Sequence, residues 1–137
     1  MKKITYSLLM LLSLGFASCD DNNDSDAYNL SQTKWSGVFL DSYTSSSGQN
    51  GLWRYEITVT FENKKVGEHF IKGVTNKAYD FDYEINDNKI VEINGDGSNK
   101  LNGTWWIRSI SDSEMRLERD VTNEAQTDYL NLERRSL

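Results

Sequence analysis

Two side chains able to do covalent or acid-base chemistry occur once each in this chain, the thiol of Cys19 and the imidazole of His69. Nucleophilic catalysis needs a thiol or hydroxyl beside a base that a third group orients, and zinc needs several His or Cys ligands. A single imidazole cannot supply a cluster, so metal sites of the His-cluster or thiolate kind are excluded and no cofactor is expected. His69, in Gly67-Glu68-His69-Phe70, reads as an ordinary strand residue. Asp80, Asp82 and Glu84 alternate along one strand face, a spacing that could collect a cation or flank a glycosidic bond. A solvated sheet face produces the same spacing. The stretches Asp21 to Asp26 and Asn94 to Lys100 are acidic or amide-rich but do not have glycine and a final glutamate at the places a calcium loop requires, so they read as spacer and turn. No glycine-rich cradle follows a strand and opens a helix, which leaves nucleotide binding without support. The chain is not expected to be an enzyme.

Cys19 has a more definite context. Lys2 and Lys3 precede an apolar stretch from Ile4 to Ala17, and the small residues Ala17-Ser18 stand directly before the cysteine. That layout is a secretory signal, and the apolar stretch is shorter than the roughly 20 residues of a spanning helix. Phe16-Ala17-Ser18-Cys19 resembles a lipobox, which implies cleavage before Cys19 and a diacylglycerol thioether on its sulfur. An ordinary secretory signal with a chance cysteine is the alternative. As the sole cysteine it has no partner for a disulfide within the chain. In lipoproteins the mature cysteine carries three acyl chains, and at about 0.8 kcal/mol per buried methylene such an anchor is effectively permanent.

Residues 1–18 are therefore read as a lipoprotein signal peptide and residues 19–29 as a lipidated acidic tether. Asp20-Asp21-Asn22-Asn23-Asp24-Ser25-Asp26 has nothing to bury. Acidic residues just behind the lipidated cysteine also resemble the surface-export signal of Bacteroidota lipoproteins. The expected location is the outer membrane, lipid-anchored, with display on the cell surface as an extension of that reading. Loss of Lys2 and Lys3 with the signal moves the formal charge from −6 to −8. An acidic protein of this kind is a poor partner for nucleic acid.

Residues 30–137 are enough for one domain with a modest core. Trp53, Tyr55, Ile57, Val59 and Phe61 alternate with polar residues, the period of a strand with one buried face. Tyr79, Phe81, Tyr83 and Ile85 repeat the pattern, and Asn86-Asp87-Asn88 turns the chain toward Lys89 to Ile93. Further strands are expected over Trp35 to Leu40, Val66 to Val74, Thr104 to Ile110, Met115 to Arg119 and Tyr129 to Arg134, a total of eight. Leu30 to Thr33 could form a single turn before the first. Short polar connections favour an antiparallel meander. The fold class is thus all-β, an eight-stranded meander closing into a small barrel, with a two-sheet sandwich as the alternative. Ser42 to Gly51 reads as a mobile polar loop. Trp35, Phe39, Trp53, Tyr55, Phe61, Tyr79, Phe81, Tyr83 and Trp105 are expected to point inward. Trp106 and Ile110 fall on the face opposite Trp105 and Ile107.

Trp35, in Trp35-Ser36-Gly37 near the start of the first strand, the long loop that follows and the run of short strands are similar to lipocalin-like domains of Bacteroidota lipoproteins. The resemblance spans roughly residues 30–137. It implies a barrel closed at one end, a lid between the first two strands, and a late arginine packed across the tryptophan, either Arg119 or Arg134. It also implies an internal site for a small apolar or amphipathic molecule, with Tyr43, Trp53, Tyr55 and Trp105 at its mouth and wall. Large aromatic side chains can equally fill a small barrel. In that case the domain would be a solid module engaging another envelope protein.

Overall fold

The computed structural model describes residues 29–87, 89–120 and 126–137. The expected signal peptide, Cys19 and nearly all of the expected tether lie outside the described residues. Eight strands run in chain order: β1 (Thr33–Thr44), β2 (Asn50–Phe61), β3 (Val66–Ile71), β4 (Tyr79–Asn86), β5 (Ile90–Gly95), β6 (Gly103–Ile110), β7 (Glu114–Asp120) and β8 (Thr127–Arg135). Each pairs antiparallel with the next, and β8 pairs back onto β1 from Lys34↔Arg135 to Leu40↔Tyr129, closing a barrel. The sandwich alternative is thereby set aside. Closure leaves no sheet edge along the barrel wall, which removes the usual liability of an unpaired strand.

The turns form because their residues supply the missing hydrogen bonds. The Asn63 side chain accepts from the amides of Lys65 and Val66 between β2 and β3. Asp87 adopts φ +52°, a left-handed conformation that Asp tolerates, between β4 and β5. The Ser111 hydroxyl accepts from the Glu114 amide between β6 and β7. The stretch after Leu30 is a turn with Gln32 at φ +59°, and Thr33 Oγ1 donates to the Leu30 carbonyl while accepting from the Trp35 indole at 2.8 Å.

Three local readings are corrected. β3 ends at Ile71 instead of Val74, because Gly73 takes φ +79° and the Thr75 hydroxyl accepts from the Ile71 amide. The stretch expected to be a mobile loop is mostly strand: Ser42↔Leu52, Tyr43↔Gly51 and Thr44↔Asn50 pair as a two-stranded ribbon, and the turn shrinks to Ser45–Gln49. Ile110 packs with the core instead of sharing the outward face of Trp106, because a bulge between Ile107 and Ser109 reverses the alternation.

Trp35, Phe39, Phe61, Phe81, Tyr83 and Trp105 are buried as expected, and Tyr55 and Tyr79 are half-buried. Trp53 is the exception, 54% exposed. β1 leaves β8 after Leu40, so at the Asp41↔Trp53 level β1 and β2 stand beyond the closed ladder of the barrel. Inward faces are otherwise filled: Trp35, Phe39, Val59, Phe61, Ile71, Val91, Leu101, Trp105, Met115, Leu117 and Leu130 are each 0–1% exposed. A void able to hold water would leave accessible area on its lining, so the space between these side chains is packed.

Packing is tightest where β1 crosses β8. A methyl group built on Gly37 would overlap the Asn131 carbonyl oxygen and touch the Leu132 Cα. Both obstacles are backbone, and backbone in a closed barrel cannot step aside without breaking the β1–β8 ladder. Gly37→Ala is expected to lower stability by about 2–4 kcal/mol, read as a shift in urea midpoint; an unchanged midpoint would show that the seam is pliable.

Candidate functional site at the barrel mouth

The chain enters the barrel through Leu30 and Thr33, and the β1–β2, β3–β4 and β5–β6 connections gather at the other end with the start of β8. This second end is the mouth. The Asp96–Asn102 connection folds into it and is tied by its own side chains. Asn102 Oδ1 accepts from the Gly95 amide, Asn102 Nδ2 donates to the Asp96 carbonyl at 2.7 Å, and Asn99 Oδ1 accepts from the Leu101 amide at 2.9 Å. Leu101 ends fully buried, and its carbonyl accepts the Trp105 indole N–H at 2.8 Å. The expected turn is therefore a plug.

Two ion pairs cover it. Arg119 and Asp128 form the inner one, with Nη2 2.5 Å and Nε 2.9 Å from Oδ2. Asp128 Oδ1 accepts from the Ser42 amide at 2.7 Å and the Ser42 hydroxyl at 2.6 Å, while Arg119 Nη1 donates to the carbonyls of Lys100 and Asn102. Both charges are nearly buried, and the guanidinium carbon lies 4.4 Å from the Trp105 ring centroid. A buried charge pair is tolerable only when its remaining donors and acceptors are also satisfied, as these are. The outer pair joins Lys100 Nζ to Asp41 Oδ2 at 3.1 Å, with the ammonium 5.6 Å from the Tyr55 ring centroid.

Above these pairs stands the ribbon. Alternation puts Phe39, Asp41 and Tyr43 of β1 and Gly51, Trp53 and Tyr55 of β2 on one face. The Tyr43 and Trp53 rings lie 4.9 Å apart with their planes 31° from parallel. Gly51 makes this possible, since a methyl group there would come within 2.5–2.7 Å of the Tyr43 ring. At the tip, Gln126 Nε2 donates to Thr44 Oγ1 and to Asn50 Oδ1, fastening the ribbon to the start of β8.

Of the four residues expected at mouth and wall, Tyr43, Trp53 and Tyr55 share this face. Trp105 lies beneath, 6.1 Å from Phe39 and covered by Arg119. Of the two candidate arginines, Arg134 is the one over Trp35, at 5.9 Å, whereas Arg119 serves Trp105. Asp41, Lys100, Leu101 and Asp128 were not singled out from the sequence. Asp128 had a signal: it shares the alternating face of Leu130 and Leu132, where a carboxylate is out of place.

Asp80, Asp82 and Glu84 are exposed on the outer face of β4. Among the described residues no group of three or more His, Cys, Asp or Glu side chains is placed to hold a metal ion. A groove of about 740 Å³ crosses the outside of β1, β2 and β8. Among its charges Lys72 pairs with Glu56 at 2.9 Å and Arg135 with Glu133 at 3.2 Å, exposed pairs of the kind a solvated sheet face carries. His69 is buried against Tyr79 and Phe81, and its Nδ1 has no hydrogen-bond partner. Burial holds the imidazole below its ordinary pKa of 6.5, opposed in part by the Asp96 carboxylate. No protein-family model, curated protein or solved structure matches the chain.

Two outcomes follow from this geometry. Asp128→Ala strands the Arg119 charge and is expected to cost about 3–5 kcal/mol, and Arg119→Met a similar amount. Because each removes the same interaction, the double variant should lose less than the sum of the two in chemical denaturation; strict additivity would mean that the pair is not coupled. His69 stays neutral in the fold at a pH where the unfolded chain is protonated, so its contribution is constant above pH 6.5 and declines as pH falls below that value. His69→Gln should therefore lose less stability than the parent between pH 7.5 and pH 5, a difference that parallel melts would reveal.

Proposed function

We propose that this chain is an outer-membrane lipoprotein, anchored through Cys19, that recognises a component outside the membrane with the aromatic rim of a solid barrel. One observation carries the reading. The core side chains of the barrel are 0–5% exposed, whereas Tyr43 and Trp53 are 36% and 54% exposed on a ribbon that is hydrogen-bonded in place. Burying large aromatics is favourable by roughly 25 cal/mol per Å² of apolar area, so exposed rings stacked on each other mark a contact surface more than a packing residue.

Orientation supports the same reading. The tether joins β1 at the end opposite the mouth, so an anchored domain holds its rim away from the bilayer. Eleven residues from Cys19 to Asn29 reach at most about 40 Å, which keeps the domain near the membrane while the rim faces outward. Acidic residues beside the anchor favour the outer leaflet. The packing of Arg134 on Trp35 and the meander closure support the lipocalin likeness, with the interior used for stability.

A small apolar ligand inside the barrel is the competing reading. It requires Leu101 to leave the mouth, with loss of the two bonds from Arg119 to the plug backbone. The experiment is a paired one. Mass spectrometry of the native product should find a cleaved N-terminus with a diacylglyceryl thioether at Cys19, and Cys19→Ser should release the protein from membranes. In the same protein, fatty acids and anilinonaphthalene probes should give no saturable binding. An unmodified thiol would remove the anchor, and stoichiometric probe binding would move the site into the barrel.

A further inference from the structure

Resting on the rim reading above, we infer that the Tyr43–Trp53 shelf with Asp41 and Lys100 beneath it is a binding site for neutral saccharides, taking one pyranose face on the rings and its hydroxyls on the ion pair. The shelf has the shape for a flat ligand. Its two rings stack, with centroids 4.9 Å apart and planes 31° from parallel, and Trp53, 54% exposed, offers the more open face, with Tyr55 following about 7 Å further down the same strand face of β2. A pyranose presents such a shelf with a patch of C–H bonds, polarised to match the negative face of an aromatic quadrupole, while its hydroxyls point outward around the edge. Asp41 is the register partner of Trp53, and both Asp41 and Lys100 keep solvent-accessible side chains. A carboxylate that accepts and an ammonium that donates, side by side at the foot of the rings, suit a vicinal diol.

Other ligand classes fit less well. A quaternary ammonium is held by rings standing at angles as walls of a box, and here the Tyr55 face already carries the Lys100 ammonium. An apolar molecule needs most of its surface enclosed, which an open shelf does not provide. Anionic sugars meet a chain of net charge −6, with Lys100 already neutralised by Asp41. A neutral polyhydroxylated ring needs neither enclosure nor net charge. The shelf is also pre-formed, because Gly51 gives the Tyr43 ring room to lie down and Gln126 holds the tip. Gly51 is thus a positioning residue: an alanine methyl there displaces the ring without touching the core.

Affinity electrophoresis and calorimetry of the intact domain against a β-glucan, a xylan, an α-mannan and a galactan, with hyaluronate as the anionic control, test this. Retention by at least one neutral polysaccharide is expected, with at least tenfold weaker binding in Trp53→Ala and in Gly51→Ala at unchanged melting temperature. Trp106→Ala, which removes an exposed tryptophan on the outer face of β6, should bind within twofold of the parent. Absence of retention by every neutral polysaccharide, preference for hyaluronate, or binding indifferent to Trp53→Ala each overturns the saccharide inference. A photo-crosslinker at Ser47, exposed in the turn of the ribbon, on cells separates that failure from failure of the rim reading. Protein adducts without glycan binding leave the rim as the contact surface and discard the sugar, and no adducts with no glycan binding discard both.

Discussion

The Arg119–Asp128 pair is the interaction on which the mouth of this barrel depends. It joins β7 to β8 across one step of the ladder, receives the amide and hydroxyl of Ser42 from β1, and sends two hydrogen bonds into the plug backbone. Four separate segments thus meet on two charges. Removing water from ions is costly, and the cost is offset here because nearly every donor and acceptor around the pair has a protein partner. Satisfaction of that kind requires each segment to be in place at once, which makes the closure of the mouth cooperative. With the mouth shut by polar contacts and the interior filled by apolar ones, the exposed rings of Tyr43 and Trp53 stand on the ribbon beyond the rim.

The two ends of the barrel solve one problem in different ways. Each buries a tryptophan and lays an arginine across it, Arg134 on Trp35 and Arg119 on Trp105. At the entry end the indole N–H is satisfied by the Thr33 hydroxyl, itself bonded to the Leu30 carbonyl. At the mouth it is satisfied by the plug backbone at Leu101. Both indole bonds are local in sequence, to residues two and four positions earlier, whereas each arginine arrives from a later strand. Local contacts form at small entropic cost, whereas the covering arginines must wait for β7 and β8 to assemble.

Much of the fold was legible because the alternation is strong where the barrel is closed. Strand number, order and closure follow from Trp53 to Phe61, Tyr79 to Ile85 and the short polar turns between them. Legibility failed wherever the answer depended on what stands opposite. Alternation assigns Trp53 to the inward face but cannot say that β1 and β8 have already parted. It places Ile110 outward, and a one-residue bulge returns it to the core. Leu101 is an isolated apolar residue in a polar stretch, and nothing in its neighbours states where that stretch lands. Starting the last strand at Tyr129 left Asp128 in a loop, which hid a carboxylate on the same face as Leu130 and Leu132. The aromatic members of the candidate site were visible as residue types, while their charged neighbours depended on tertiary contacts.

The ribbon that carries Tyr43 and Trp53 partly reopens what closure achieved. β2 pairs with β3 only from Ile57 onward, and β1 has left β8 after Leu40, so the flanks of the ribbon present backbone amides and carbonyls to solvent. Such flanks are templates for adding a foreign strand, and proteins protect them with charge and twist. Here Arg54 and Glu56 stand on the exposed side of β2, and Ser42 spends its amide on Asp128. A barrel that projects rings beyond its closed wall therefore carries, on the same few residues, the means to discourage polymerisation with its neighbours.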